Sequence, residues 1–247
     1  MKKTLTKLTG LLLLLLPTAV VLAQQPAPAR PFALAQVQNA ARGYLDSMGI
    51  EALLYRGSEY VNYDLHIQGH QFFRTDEWQT GTVHAFGQTY PGVRLSYDIN
   101  LDVLVLEHSQ LAYALQLPSQ KVAWFDLLDH HFIRLQADST TGSEIITGFY
   151  DLRYPGKTTF LVKRRKIFEK SIEDMEVKKW FELAERYFIF KNGTYHRVKR
   201  KGSFLKLFPD RKKELKKFIR KNKLHFGQHT EEAILQTAKH YDELTGN

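Results

Sequence analysis

Hydrophobic positions alternate with polar ones through the middle of the chain. From about residue 52 to residue 168 the period of this alternation is two, and turn-forming residues recur at intervals of about 8 to 12 positions. This pattern predicts antiparallel strands, because parallel strands would be separated by helical stretches. Two hairpins are clearest: one pairs 93–99 with 103–106, and the other pairs 149–154 with 158–167.

Three further segments bear on the sheet. The apolar stretches 111–117 and 122–127 flank Pro118-Ser119, which predicts that they form another hairpin. Asn192-Gly193, between two short alternating stretches, is the strongest short-range hairpin signal of the chain. The segment 171–186 permits a helix or a strand, and its β-branched and aromatic residues favour the strand.

Helical spacing of apolar residues dominates near the two ends of the chain. At 34–45 they recur every three or four positions, which predicts an amphipathic helix. A basic helix starts near Pro209, and a second helix follows Thr230, the expected N-cap. The sequence therefore predicts an α+β fold, with an antiparallel sheet curved into a sandwich or a partial barrel, an N-terminal helix and a C-terminal basic helical pair.

The first 23 residues have the parts of an export signal. Lysines near the start precede a leucine run at 11–16, and small residues stand at Val21 and Ala23, before Gln24. Pro17 interrupts the apolar stretch, which is also shorter than the roughly 20 residues that span a bilayer. The protein is therefore expected in the periplasm, outside the cell or peripherally at the outer membrane. The predicted divisions are a signal peptide at 1–23, a linker at 24–33, a helix and antiparallel domain at 34–204 and a helical hairpin at 205–247.

Composition changes this picture in two ways. The chain has no cysteine, which excludes disulfides, thiolate metal sites, thiol catalysis and a lipid on cysteine. Charge is divided unevenly: residues 24–150 contain 7 basic and 13 acidic residues, a net of −6, whereas residues 151–225 contain 24 and 9, a net of +15. A basic half of this kind favours contact with anionic lipid, an acidic polymer or nucleic acid, although solvated helix faces also explain it.

Two groups of residues are candidate binding surfaces. The basic candidates for contact with anionic material are Arg164, Arg165, Lys166, Lys212, Lys213, Lys216, Lys217, Arg220 and Lys221. Most aromatic residues are expected in the sheet core and in cross-strand pairs. The alternative is a ligand-stacking surface, for which Tyr97, Trp124 and Tyr150 are the candidates.

Histidine and carboxylate groups supply two weaker candidates. Asp64, His66 and His70 include residue types that bind zinc, but on a strand the two histidines would stand roughly 13 Å apart. Asp129, His130 and His131 are consecutive, so the two histidines would face opposite sides of a strand. No metal site is predicted.

Carboxylates near the strand ends could converge for acid and base chemistry, but nothing in the sequence fixes their separation, and turn formation is the favoured explanation. These residues are Asp98, Asp102, Asp126 and Asp151. Glycine-rich nucleotide-binding loops are absent from the sequence. No catalytic residue and no cofactor are predicted.

Several stretches carry a resemblance to known proteins. They are 81–90, 95–98 with 102–106, 148–152 and the basic 212–224. Together they resemble a family of exported Bacteroidota proteins of unknown function. The resemblance implies a compartment and an approximate architecture, and it implies no functional residue.

The sequence thus indicates a non-enzymatic envelope protein that binds a partner or ligand. Its basic C-terminal half would serve as an attachment surface for anionic material such as lipid, polymer or an envelope protein. Two alternatives remain open. One is a hydrolase that acts on envelope polymers through converging Asp and His side chains, and the other is a carrier of an apolar ligand.

Overall fold

The computed structural model describes residues 54–55, 57–63, 67–108, 113–137, 144–173 and 176–246. Its strands are β1 (Ser58–Tyr60), β2 (Gln79–Ala85), β3 (Gln88–Asp98), β4 (Val103–Glu107), β5 (Ala114–Gln116), β6 (Val122–Leu127), β7 (His130–Leu135), β8 (Gly148–Tyr154), β9 (Thr159–Glu173), β10 (Glu176–Lys191) and β11 (Thr194–Val198). Its α-helices are α1 (Lys201–Lys206), α2 (Lys212–Lys221) and α3 (Thr230–Thr245). The predicted signal peptide, linker and N-terminal helix lie outside the described residues.

All of these strands belong to one antiparallel sheet with the order β1-β5-β4-β3-β2-β6-β7-β8-β9-β10-β11. The predicted antiparallel sheet is therefore confirmed, as are the helices near the C-terminus. The hairpins β3–β4, β8–β9 and β10–β11 are also confirmed. Segment 171–186 is extended wherever it is described.

The hairpin predicted around Pro118 is wrong. β5 pairs with β1 and β4, whereas β6 pairs with β2 and β7. A 3-10 turn at Ser119–Lys121 carries the chain past the ends of β4, β3 and β2, which lie between the two strands. The chain does turn after Pro118, as predicted, but the pairing of β5 and β6 is decided by contacts with strands that are distant in sequence.

Two features of the C-terminal helices also differ from the prediction. The short helix α1 begins at Lys201, before the predicted boundary at 205, and Ser203 Oγ accepts a hydrogen bond from Arg200 N over 3.1 Å. Thr230 is the first residue of α3 rather than its N-cap. Its hydroxyl donates to the carbonyl of Phe226 over 2.6 Å, and the N-cap residue is His229, which makes no side-chain capping hydrogen bond.

The inner face of the sheet carries two apolar clusters. The first is an aromatic core around Tyr97, Phe125, Phe132 and Phe149, whose rings lie 4.8 to 5.9 Å apart. The second lies beneath the C-terminal helices, where β9, β10 and β11 pack against buried residues of α1, α2 and α3. The second cluster fixes the C-terminal helices on the part of the sheet formed by β9, β10 and β11.

The sheet curves so that β3 approaches β9, although four strands separate them. Lys166 N donates to the carbonyl of Ile99 over 3.1 Å, and Asn100 Nδ2 donates to the carbonyl of Lys166 over 2.8 Å. Beyond these contacts, β9 and β10 continue as a two-stranded arm. Ile172 and Val177 form a cross-strand pair near its end and are 78% and 58% exposed.

Candidate functional site

A concavity lined by positively charged side chains lies beside α2. It has a volume of about 660 Å³, and we call it the basic concavity. Its lining combines six Lys and Arg residues, one histidine and two aliphatic side chains: Lys201, Lys213, Lys216, Lys217, Arg220, Lys223, His225, Ile219 and Leu224.

The amphipathic sequence of α2 explains how this concavity forms. Leu215 and Ile219, four residues apart, are buried against the sheet and the other helices. Phe218 stacks on His240 of α3 with a ring separation of 3.9 Å. The remaining face of α2 is therefore turned away from the core, and it carries the exposed lysines and Arg220.

The cations of this concavity are not neutralised by neighbouring acids. Within the described part of the chain, none of its Lys or Arg residues lies within 4.0 Å of a carboxylate, and the ion pair of this region joins Arg211 and Glu214. Six like charges around one depression repel each other, so an anion placed there would relieve an unfavourable potential.

Lys223 enters this set through an unusual backbone conformation. It follows α2 with φ of 52°, in the left-handed region that normally favours glycine after a helix. Leu224 N donates to the carbonyl of Ile219 over 3.0 Å, which closes the helix end. A lysine that replaces glycine here costs about 1 kcal/mol in backbone energy. In return it adds a cation to the concavity.

The predicted basic residues do not form one surface. Lys213, Lys216, Lys217 and Arg220 line the basic concavity, whereas Lys212 and Lys221 are exposed on α2 outside it. Arg165 is partly exposed on β9.

Arg164 and Lys166 are occupied internally, which corrects their assignment as surface contacts. Arg164 is buried among carboxylates, and Lys166 Nζ donates to the carbonyls of His70 and Phe72 over 2.6 and 2.8 Å. Successive side chains of β9 point to opposite faces of the sheet, and those in its packed region have partners inside the protein. Only side chains outside that packed region are available for contacts at the surface.

Arg164 belongs to a buried ionic network between the two apolar clusters. Its Nε donates to Asp151 Oδ2 over 2.8 Å, its Nη2 donates to Glu231 Oε1 over 3.0 Å, and its Nη1 donates to Glu185. Arg153 Nε also donates to Glu231 Oε1, over 2.7 Å. Burial alone would lower the pKa of Arg164, but its hydrogen bonds and the adjacent carboxylates raise it. The network joins α3 to the sheet.

His130 and Asp151 form the closest approach to a catalytic pair. His130 Nδ1 lies 2.7 Å from Asp151 Oδ2, but both side chains are 0% exposed. Asp129 Oδ1 is 3.2 Å from His130 Nε2 without hydrogen-bonding geometry, so this buried nitrogen has no hydrogen-bond partner in the described structure. His131 instead pairs with Asp126 at 2.6 Å, and the two adjacent histidines have separate surroundings, as predicted.

The other strand-end carboxylates are structural. Asp98 Oδ1 accepts from the backbone nitrogens of Asn100 and Leu101, as an Asx turn does, and burial raises its pKa. Asp102 accepts from Lys163 Nζ over 2.7 Å and also from the hydroxyl of Tyr97. These contacts tie the β3–β4 turn to the sheet.

The three aromatic candidates lie in different surroundings. Tyr97 is fully buried in the aromatic core, and Tyr150 is fully buried in a separate, smaller cluster with Phe188. Neither presents an exposed ring. Trp124 is partly exposed and stacks on His84 with a ring separation of 5.5 Å. The three rings therefore do not form one ligand-stacking surface.

The metal candidate lies partly outside the described residues, because Asp64 and His66 are not among them. His70 is described, and its ring lies beside Phe72 and Lys166. In the described ranges, no group of three or more His, Asp or Glu side chains is arranged to hold a metal ion.

Three basic side chains of the basic concavity were not among the predicted contacts: Lys201, Lys223 and His225. They come from α1 and from the chain after α2, and they converge only because the helices pack together. The one local signal was the continuation of positive charge on both sides of α2.

Comparisons with known proteins assign no relative to this chain: no family model, no curated protein and no solved structure matches it. A search of the described helices found none with the length and hydropathy needed to cross a bilayer.

Proposed function

We propose that this protein is an exported, non-enzymatic envelope protein that binds reversibly to an anionic lipid surface through the basic concavity. The observation that carries this proposal is the convergence, beside Leu224, of six Lys and Arg residues that have no carboxylate within ion-pair distance among the described residues. The predicted signal peptide at 1–23 and the resemblance to exported proteins support the compartment.

The mixture of charge and apolar surface favours lipid over a purely ionic polymer. Lipid phosphates would meet the lysines, while the partly exposed Leu224 offers contact to the hydrocarbon close to the head group. Each Lys or Arg near an anionic membrane contributes about 1 kcal/mol, so six correspond to about 6 kcal/mol. This is enough for reversible peripheral binding and too little for permanent anchoring.

The buried His130–Asp151 pair favours binding over catalysis. Both side chains are closed to solvent, and Asp151 is already bound by Arg164. A hydrolase of envelope polymers would need such a pair to reach a substrate. The geometry instead supports a role in holding α3 on the sheet.

Vesicle co-sedimentation tests the proposal. The chain without residues 1–23 is mixed with uncharged galactolipid vesicles that either contain or lack phosphatidylglycerol. We expect binding to the anionic vesicles at low salt and loss of binding at about 1 M NaCl, where the Debye length is about 3 Å. Binding that is equal on both vesicle types would contradict the proposal, as would binding to heparin alone.

A pair of double variants locates the contact. Lys216→Glu with Arg220→Glu reverses two charges in the basic concavity, and we expect at least a tenfold loss of vesicle affinity. Lys212→Glu with Lys221→Glu changes the net charge equally on the same helix but outside the concavity. We expect this control to retain affinity within about threefold. Equal losses in the two variants would show that net charge alone is responsible.

A further inference from the structure

A second cavity, of about 530 Å³, lies on the outer face of the sheet. In contrast to the basic concavity, its lining carries acidic side chains. Its floor is formed by β1, β3, β4 and β5, where Ser96, Glu107 and Ala114 share the outer face by register. Phe72 and Trp78 contribute further walls from the segment before β2. We call it the acidic cavity.

Aromatic rings dominate the walls of the acidic cavity. Tyr60 and Phe72 are both buried, with ring centres 6.0 Å apart, and Trp78 packs partly buried against the same cluster. Tyr113 stands at another side and is 43% exposed. The faces of such rings carry partial negative charge and attract cations.

The charged side chains in the described lining of the cavity are acidic. Glu59, Asp76 and Glu107 line the cavity, and no Lys or Arg is part of its described lining. Arg94 pairs with Glu107, which leaves Glu59 and Asp76 without an ion pair among the described residues. The surrounding half of the chain is also net acidic, so its field favours the approach of a cation.

An unpartnered hydroxyl lies at the floor of this cavity. Ser96 is only 4% exposed, and its side chain makes no hydrogen bond to any described residue. Its neighbours Leu95 and Tyr97 point into the aromatic core, so alternation places Ser96 on the cavity side. A hydroxyl in this position can donate to or accept from a polar ligand group that enters the cavity.

The walls are held in place before any ligand arrives. The Tyr60 hydroxyl donates to Asp98 Oδ2 over 2.8 Å and accepts from Gln71 Nε2 over 2.8 Å. Gln71 also donates to Asn62 at the cavity rim over 2.7 Å. Fixed rings lose little conformational entropy on binding.

We infer that the acidic cavity binds an organic cation with an ammonium head group, which contacts Trp78 and Tyr60 and is neutralised by Asp76. A hydroxyl on the ligand would pair with Ser96. The described residues offer no three-ligand metal set, so the chemistry of the lining suits an ammonium rather than a metal ion. This site is separate from the basic concavity and does not depend on the function proposed for it.

Isothermal titration with choline tests this inference in the chain without residues 1–23. The comparison ligand is 3,3-dimethylbutan-1-ol, which has the same shape and hydroxyl group but no charge. We expect choline to bind at least tenfold more tightly than the neutral alcohol. Equal affinities, or no binding of choline at millimolar concentration, would overturn the inference.

Matched variants distinguish binding in the acidic cavity from a general attraction of cations to the acidic surface. Asp76→Asn should weaken choline at least fivefold, whereas Glu77→Gln, the adjacent exposed carboxylate outside the lining, should leave it unchanged. Trp78→Phe should weaken choline about two- to fivefold, because phenylalanine attracts cations less strongly than tryptophan. Circular dichroism and thermal melting check that each variant folds. Full choline affinity in folded Asp76→Asn and Trp78→Phe would place the ligand elsewhere and contradict the site.

Discussion

Arg164 on β9 and Glu231 on α3 form an ion pair with an Nη2 to Oε1 distance of 3.0 Å, and this contact joins the sheet to the last helix. The same guanidinium binds Asp151, which has no exposed surface. Arg164 therefore holds α3 on the sheet, and α2, which carries most of the basic concavity, packs against α3 through Phe218 and His240.

Replacing Arg164 should destabilise the whole fold. Arg164→Met leaves Asp151 buried without its main cation, and loss of one partner of a buried pair costs about 3–5 kcal/mol. Urea unfolding should show this decrease in the free energy of unfolding. Arg165→Met, on the adjacent and partly exposed position, should change it by less than about 0.5 kcal/mol. Equal effects of the two variants would mean that the ionic network is not important for stability.

Asp102 and Lys163 allow a double-mutant test at the position of β9 next to Arg164. Asp102→Ala should cost about 3–5 kcal/mol, because Lys163 is only 2% exposed and would lose its carboxylate. Adding Lys163→Met should recover part of that loss, since the uncompensated charge is removed. Urea unfolding of the two single variants and the double variant gives the coupling. Strictly additive losses would contradict a direct pair.

His70 should make stability fall on mild acidification. Burial lowers its pKa, and the Lys166 ammonium, 3.4 Å from Nδ1, lowers it further, while Asp76 acts weakly in the opposite direction. On acidification, the His70 imidazole is therefore protonated in the unfolded chain first, near pH 6.5. The stability that is present above pH 6.5 is lost as the pH falls from there through the lower pKa of His70 in the folded protein.

Two measurements check this pH dependence. An NMR titration should place the His70 imidazole below pH 6.5, and His70→Gln should remove part of the difference in unfolding free energy between about pH 7.5 and pH 5.5. A His70 pKa at or above 6.5, or an unchanged pH dependence in the variant, would contradict the assignment.

Lys223 should show opposite effects on stability and binding. Lys223→Gly relieves the left-handed conformation and should raise the unfolding free energy by about 1 kcal/mol, but it should also weaken binding to anionic vesicles. Lys221→Gly, inside α2, should instead lower stability by about 1 kcal/mol. Thermal unfolding and co-sedimentation of both variants check this. A Lys223→Gly variant without gain in stability would show that the strain is absent.

Local patterns predicted the strands well, because a period of two and a turn such as Asn192-Gly193 are properties of neighbouring residues. The route from β5 to β6 was not predictable in this way, since the intervening three strands determine it. The helical pattern of neighbouring residues also predicted α2, on which six of the predicted cations lie. Four of those six line the basic concavity.

The acidic cavity escaped sequence analysis because its parts are dispersed along the chain. Tyr60, Trp78 and Ser96 come from different elements, and only the folded sheet brings them together. Ser96 carried a weak signal, as a small polar residue between two core residues of a strand. A small polar residue at such a position indicates that the opposite face of the strand differs from the core, but it does not identify the residues that cover that face.

The most direct measurement of the central claim is amide NMR mapping with a short-chain phosphatidylglycerol, using an uncharged glucoside detergent of similar chain length as the comparison. We expect shifts concentrated at residues 213–225 with the anionic lipid and not with the glucoside. Shifts confined to the β9–β10 arm, or identical shifts with both compounds, would contradict attachment through the basic concavity.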